Sequence, residues 1–342
     1  VSLHFQDLIT GALWPWTIQF FDAAGGAAPA NPLREPHELG GGSFFEDSLS
    51  HEGYSMRYKL YLPPTQALAN ARAARPMVVM LHGAMQGAAD FAAGTGMNAL
   101  ARELGIVVLY PEQSQHANAQ RCWNWFDPGH QARGHGEPAV LAALTRSIAT
   151  EHHVDPERVY VAGLSAGGAM ADIVGNCYPD VFAGVGVHSG LPTGAATDFM
   201  TALSAMRSGS VVAAGGSTVR ASRPPTIVFH GDADPTVHAS NGKALVDAVL
   251  CANRAATGTA PTARIVEGCS NEGQRYTRTI YSDVGGRCMA EHWLLRGARH
   301  AWSGGSPRGS YTNPAGVDAS TEMLRFFLAQ PRREGEDNGA TT

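Results

Sequence analysis

The sequence predicts an α/β protein built on one doubly wound, mostly parallel sheet with helices on both faces. Continuous apolar runs that end in turn residues recur at Met77–Gly83, Gly105–Pro111, Arg158–Gly163, Val181–Ser189 and Pro225–Gly231, the pattern of strands buried on both faces. Segments of helical character stand between successive runs. No internal repeat and no linker divides the 342 residues into two cores, and a chain of that length, 44% hydrophobic, can bury one large core.

The charge balance narrows the function classes. Only 16% of residues are charged, against about 25% in an average domain, which fits a compact globular protein. A net charge of -5 argues against a nucleic-acid partner, which favours a basic patch. No apolar run reaches the roughly 18 residues of a membrane span. Val1 to Phe21 contains aromatics but no Lys or Arg, so it lacks the positive region of a signal peptide. The chain begins with Val, and both a processed product and a non-standard start stay open. The five cysteines (Cys122, Cys177, Cys251, Cys269 and Cys288) contain no Cys-x-x-Cys pair, so no zinc is expected. One bridge among the last three and five buried thiols are both open readings.

In chain order, residues 1–42 read as an N-terminal extension ending at a run of glycines. Arg57–Leu62 alternates like a half-exposed strand and is stopped by Pro63 and Pro64. An Ala-rich connector leads into the Met77–Gly83 strand, and Phe91–Glu103 has helical character. The second apolar strand is followed by a loop holding Arg121–Phe126 and by a helix over Glu137–His153. The Ser165 strand runs straight into a helix over Ala169–Val174. Gly190–Ser222, rich in small residues, reads as a loose region. The Pro225–Gly231 strand opens an acidic loop, and a helix covers Asn241–Leu250. Arg275–Tyr281 and Ala290–Leu295 read as two strands around Gly285 and Gly286, and Ser320–Ala329 as the closing helix. The tail 331–342 is expected to be disordered.

Chemistry concentrates at strand ends. Gly163-Leu164-Ser165-Ala166-Gly167 lies between a strand and a helix, the setting in which a Gly-x-Ser-x-Gly pattern exposes a strained nucleophilic serine. In open α/β sheets ligands bind beyond the carboxyl ends of the strands. Ser165, an aspartate after Phe229-His230-Gly231 and His300 occur there in the order Ser, Asp, His, which is that of an α/β-hydrolase triad. Ser165 is the candidate nucleophile, His300 the base and Asp234 the orienting acid. Asp232 competes with Asp234, and Asp234 is favoured because Asp232 directly follows the strand and can bond its own loop as an Asx turn. Among other histidines, His188 comes early for this order, His238 sits four residues beyond Asp234, and His292 lies mid-strand. The oxyanion hole needs two N–H groups, expected from Ala166 and from Ala84, with Met85 the alternative to Ala84. Trp123 and Trp302 are the candidate substrate-binding indoles, on loops at the same end; Trp125 reads better as a cap on the core. No cofactor and no metal are called for, and the partner expected is an ester substrate.

These residues resemble a known family, the bacterial esterases of the poly(3-hydroxybutyrate) depolymerase type, related to feruloyl and acetylxylan esterases. The resemblance is carried by Leu81–Gln86, Arg121–Phe126, Gly134–Glu137, Val159–Met170, Tyr178–Gly184, His188–Pro192 and Gly297–Gly305, and covers roughly 43–330. It implies an α/β-hydrolase catalytic domain over 43–330, a triad of Ser165, Asp234 and His300, and hydrolysis of polyhydroxyalkanoate polymer or oligomer esters through an acyl-enzyme. Feruloyl or acetylxylan esterase activity is the alternative. The resemblance also implies export, with a cytoplasmic location the alternative because no export signal is visible. The N-terminal extension has no counterpart in the family, and no linker with a polymer-binding domain follows the catalytic region. The second departure shifts the expected substrate toward soluble oligomers and small esters.

Overall fold

The computed structural model describes residues 42–64, 74–210 and 223–332. Its elements are, in order, β1 (Ser43–His51), β2 (Tyr54–Leu62), β3 (Arg75–Leu81), α1 (Ala88–Thr95), α2 (Met97–Leu104), β4 (Val107–Glu112), α3 (Gly136–Glu151), β5 (Val154–Leu164), α4 (Ala166–Cys177) and β6 (Gly184–His188). There follow α5 (Phe199–Ser208), β7 (Thr226–Gly231), α6 (Ser240–Thr257), β8 (Thr262–Cys269), β9 (Arg275–Ser282), β10 (Cys288–Leu295), β11 (Trp302–Ser303), β12 (Thr312–Asn313) and α7 (Ala319–Leu328).

Alternation along the apolar strands decides the layering. Successive side chains of a strand point to opposite faces. In β3, Met77, Val79 and Leu81 enter one core and Val78 and Met80 the other. β4 divides the same way, with Val107 and Leu109 on one side and Val108 and Tyr110 on the other. A strand apolar on both faces needs a helix layer on each. Residues of α3, α4 and α6 fill the first core, and residues of α1, α2 and α7 the second.

The strands form a ten-stranded sheet in the order β1-β2-β4-β3-β5-β6-β7-β10-β9-β8. From β4 to β10 the pairing is parallel, whereas β2 on one side and β9 and β8 on the other are antiparallel. The carboxyl ends of β3, β5, β6, β7 and β10 therefore share one edge, which gathers His82, Ser165, His188, the Asp232–Asp234 loop and the segment leading to His300.

Several elements differ from expectation. The helix predicted over Phe91–Glu103 is two helices, because Gly96 adopts φ 64° and its N–H caps α1 on the Ala92 carbonyl. That left-handed geometry suits glycine. β1 and β8 are edge strands with mostly exposed side chains and so lack the apolar alternation that reveals a strand. Within the region read as loose, α5 starts with a capping box in which Thr201 N–H donates to Asp198 Oδ1 at 2.8 Å and Asp198 N–H donates to Thr201 Oγ1 at 3.1 Å. Arg332, in the tail expected to be disordered, donates its N–H to the Glu157 carbonyl at 2.8 Å; 333–342 and the extension up to residue 41 lie outside the described residues.

Of the two readings left open for the cysteines, neither holds as stated: among the described residues no bridge joins Cys251, Cys269 and Cys288, and Cys251 and Cys269 are exposed rather than buried. Cys269 pairs with Arg275 at one end of β9 and Cys288 with Ser282 at the other. Seven residues of strand put the two more than about 20 Å apart, beyond the roughly 7 Å Cα separation that a disulfide tolerates. Cys251 lies exposed on α6.

Glu291 of β10, with a side chain only 3% exposed, ties β9, β10 and α7 together. It accepts from Arg278 Nε and Nη2 at 3.0 and 2.7 Å, from Arg325 Nη2 at 2.7 Å and from Trp293 Nε1 at 3.1 Å. Breaking a fully buried pair costs about 3–5 kcal/mol, and here both arginines reach solvent. Glu291→Ala is therefore expected to lower unfolding free energy in urea by about 2–3 kcal/mol. A loss below about 0.5 kcal/mol would mean that the pair behaves as a screened surface contact.

Candidate active site

The turn from β5 into α4 is built by close backbone approach. A Cβ on Gly163 would run into the Gly167 backbone, and one on Gly167 into the carbonyls of Leu81 and His82. With both positions bare, α4 starts directly over the strand ends. Ser165 takes the price of that geometry in its backbone, with φ 57° and ψ -119°, a conformation that non-glycine residues rarely hold. It stands at the N-cap of α4, yet its side chain makes no capping bond, so the hydroxyl is left for other chemistry. Its N–H donates to the His188 carbonyl at 2.8 Å.

Beyond β7, Asp234 has a fully buried side chain and lies against His300, whose Nδ1 is 2.7 Å from Asp234 Oδ2. The other carboxylate oxygen accepts the N–H groups of Thr236 and Val237 at 2.8 and 2.9 Å. This is the Asx turn that the sequence reading assigned to Asp232. Asp232 instead accepts the Gly297 N–H at 2.6 Å and lies 3.4 Å from Arg296 Nη1, so it anchors the exit from β10. Burial alone would raise the Asp234 carboxyl. The electrostatic attraction and hydrogen bond of His300, the Val237 N–H and the attraction of His230 outweigh burial and hold it at about 2. With His300 Nδ1–H committed to Asp234, Nε2 carries the lone pair that a general base uses.

The rival histidines are placed otherwise. His188 is fully buried and packs between elements of the site. His292 is mostly buried in β10, and burial holds it at about 4, helped by the charges of His230 and Lys243. His238 is exposed, with Nδ1 2.8 Å from Ser240 Oγ. His230, not singled out by the sequence, donates Nε2–H to the Val237 carbonyl at 2.8 Å and so braces the Asp234 turn from below.

On the oxyanion side, the Met85 N–H is spent on the Gln120 carbonyl at 2.7 Å and the Gly83 N–H on Gln86 Oε1 at 2.9 Å. The neighbouring Ala84 N–H has no acceptor among the described residues. Ala166 is the first residue of α4, where a helix leaves its N–H groups without internal partners. The Ala166 N–H thus stands at the positive end of α4.

Trp123 and Trp302 are not substrate contacts. They are 0% and 1% exposed. Trp123 Nε1–H donates to the His82 carbonyl at 3.0 Å, and Trp302 Nε1–H to Ser320 Oγ at 3.0 Å. A loop position does not reveal side-chain direction, and each indole gains more from core area with its N–H satisfied than from a place in the cleft. Trp125, 4% exposed, also belongs to the core.

Trp123 belongs to a buried polar chain whose members the sequence reading quoted only as motifs. Glu137, 2% exposed, accepts from Asn124 N–H at 2.9 Å, Asn124 Nδ2 at 2.6 Å and Gln113 Nε2 at 2.6 Å. Burial raises its carboxyl, opposed by His130 and by these donors. Gln113 N–H in turn donates to His82 Nε2 at 3.1 Å, which leaves Nδ1–H to donate to the Gly83 carbonyl at 2.8 Å. The carboxylate thereby holds the 113–124 segment against the His82–Gly83 turn. The only signal for this in sequence is an acid at the mouth of an apolar helix, which reads equally well as a first-turn charge.

A sheet with this order and with strand-end Ser, Asp and His loops defines the α/β-hydrolase fold. The chain belongs to the family described as esterase PHB depolymerase, which it matches over residues 56–273. It is 37% identical over 193 residues to the poly(3-hydroxyalkanoate) depolymerase C of Paucimonas lemoignei, covering 54% of this chain and 45% of that protein. It is 28% identical over 306 residues to the poly(3-hydroxybutyrate) depolymerase of Ralstonia pickettii, covering 85% and 61%. The chain thus spans less than two thirds of the length of either relative. Feruloyl esterase B of Thermothelomyces thermophilus is 31% identical over 122 residues, covering 35% of this chain and 41% of that protein. Among solved structures, an acetyl xylan esterase from Aspergillus awamori superposes with a TM-score of 0.62 at 18% identity, covering 83% of this chain and 99% of that one.

Two substitutions separate the aspartates. Asp234→Asn is expected to lower kcat by roughly 10⁴-fold, whereas Asp232→Asn should act mainly on thermal stability; comparable kcat losses would overturn the assignment. Because the Asp234 carboxyl is depressed in the folded state, its stabilising charge is fully present above an unfolded value of about 3.9 and is lost as pH falls through about 2. The stability difference between wild type and Asp234→Asn should therefore shrink as pH falls from 4 toward 2, read from urea midpoints.

Proposed function

We propose that this protein is a serine carboxylic-ester hydrolase that works through an acyl-enzyme. The observation that carries the reading is Ser165 itself, held at φ 57° on the N-cap of a helix with its hydroxyl free of capping. In the proposed cycle the hydroxyl attacks the ester carbonyl while His300 Nε2 takes its proton. Asp234 keeps His300 in the Nδ1–H tautomer and stabilises the imidazolium as it forms. The developing oxyanion is met by the N–H groups of Ala84 and Ala166. His300 then protonates the departing alcohol, and water, activated by the same imidazole, releases the acid.

The acyl donors we propose are polyhydroxyalkanoate polymer or oligomer esters. The depolymerase relatives support this, as does Met85, 52% exposed on the loop beside Ala84, which offers apolar surface to an aliphatic ester chain. Hydrolysis of feruloyl or acetyl groups on plant polysaccharides is the second reading, favoured by the carbohydrate-esterase relatives. Export from the cell is the location we propose, with the cytoplasm the alternative. Among the described residues no helix is long and apolar enough to cross a membrane.

Ser165→Ala should keep the fold and lose on the order of 10⁵- to 10⁶-fold in kcat on a p-nitrophenyl short-chain ester. Wild-type turnover in the folded variant would end the serine reading. Turnover measured in parallel on a hydroxybutyrate trimer, amorphous polymer, methyl ferulate and acetylated xylan decides the substrate. Preference for the last two would replace the polyester assignment.

A further inference from the structure

His188 closes β6, is fully buried and lies outside the proposed triad. Its contacts reach the Ser165 turn, the segment just after His300 and the strand that delivers the Asp234 loop. The carbonyl oxygen accepts the N–H of Ser165 at 2.8 Å, at the residue whose backbone is strained. The ring lies almost parallel to that of Phe229, with centroids 5.8 Å apart and planes 11° apart. Phe229 is also its register partner on β7, the strand that delivers the acid loop. The ring stacks as well on Trp302, at 5.4 Å and 29°, two residues beyond His300. Its Nε2 stands 3.1 Å from the N–H of Ser303, which follows Trp302 in β11.

The last contact settles the tautomer. A backbone N–H only donates, so Nε2 is the acceptor and the ring proton sits on Nδ1, 3.2 Å from Ser189 Oγ. Ser189 is fully buried at φ 51° with its own N–H on the Phe229 carbonyl at 2.9 Å, so this acceptor is itself fixed to the acid strand. The charged form is disfavoured. Burial, with the charges of His230 and His300 against that of Asp234, holds the imidazole at about 3. The lone pair on Nε2 thus persists through neutral and mildly acidic solution.

We propose that His188 is a positioning residue, a neutral imidazole that sets the spacing between the Ser165 turn and the His300 loop by accepting from Ser165 with its carbonyl and from Ser303 with its ring. The proposal rests on the Ser165–His300–Asp234 reading and assigns the step that aligns its members. Proton transfer from Ser165 to His300 depends on a short, directed approach, and the two residues sit on different strand ends of the sheet. His188 lies on the strand between β5 and β7 and touches the backbone that carries each.

The test uses substitutions that separate the acceptor from the ring. His188→Phe keeps an aromatic ring for stacking and removes the acceptor, leaving the Ser303 N–H unpartnered. His188→Gln carries an amide oxygen to the position of Nε2. With a p-nitrophenyl short-chain ester, His188→Phe is expected to lose roughly a hundredfold in kcat with KM unchanged, and His188→Gln to recover most of that loss. Thermal midpoints and circular dichroism report the fold of each variant. Wild-type kcat in folded His188→Phe overturns the proposal, as does equal impairment of both variants in step with lost thermal stability.

Should His188→Phe not fold, His188→Asn against His188→Gln carries the same question. The shorter amide reaches the Nδ1 position and not Nε2, so Asn should be impaired and Gln active; equal kcat for the two overturns the proposal. Ser165→Ala run alongside keeps the two readings distinct. Activity surviving in Ser165→Ala sinks the triad, whereas its loss beside unimpaired His188 variants sinks only the role given to His188.

Discussion

The site depends on the contact between the backbone of Gly163 at the end of β5 and that of Gly167 in the first turn of α4. Packing a helix directly onto a strand end leaves no room for a Cβ on either side, and the residue between must turn too sharply for an ordinary φ. Ser165 sits in that turn, and its strain is held by the surrounding structure, with its N–H on the His188 carbonyl and its carbonyl accepting from Ala169 at 2.9 Å. A strained residue persists only when its neighbours over-determine it. Here those neighbours are the parallel pairings of β5 with β3 and β6, the best-buried part of the sheet.

Electrostatics divides the histidines at this edge into two kinds. His82, His188 and His230 are enclosed, and burial lowers the affinity of each for a proton. His82 and His188 each have one donor and one acceptor nitrogen fixed by hydrogen bonds, at the His82–Gly83 turn and at Ser303, while His230 donates Nε2–H to the Val237 carbonyl beside the Asp234 turn. His300 alone among these four has Nδ1 on a carboxylate.

Much of this was legible in the sequence, for identifiable reasons. Strands buried on both faces announce themselves as apolar runs, and each run at the carboxyl edge ended in a residue of chemical interest. The edge strands β1 and β8 did not, because exposed side chains carry no alternation. Position favours Asp234 over Asp232, and Asp234 is the one that lies against His300, yet the Asx turn expected of Asp232 belongs to Asp234, since sequence adjacency does not say whether a side chain bonds forward along its own loop or across to Gly297. The indoles of Trp123 and Trp302 were misread for a related reason. Their N–H partners, His82 and Ser320, lie 41 and 18 positions away, and the inward turn of a side chain toward such a partner leaves no local trace. Glu137 was hidden in the same way, its donors belonging to a segment that folds back over it.

The strand order has a consequence for how the molecule is made. β10 comes after β8 and β9 in the chain but lies between β9 and β7 in the sheet. During synthesis the polypeptide through β9 emerges with no neighbour for β7 on that side, because β9 and β8 join the sheet only when β10 pairs with β7. Such non-local pairing is slow compared with the formation of helices and hairpins. His300 trails this last pairing by only a few residues. A nascent chain that already displays Ser165 on its turn therefore has no base beside it, and ester cleavage, in the cycle proposed above, begins only when the final strand has docked.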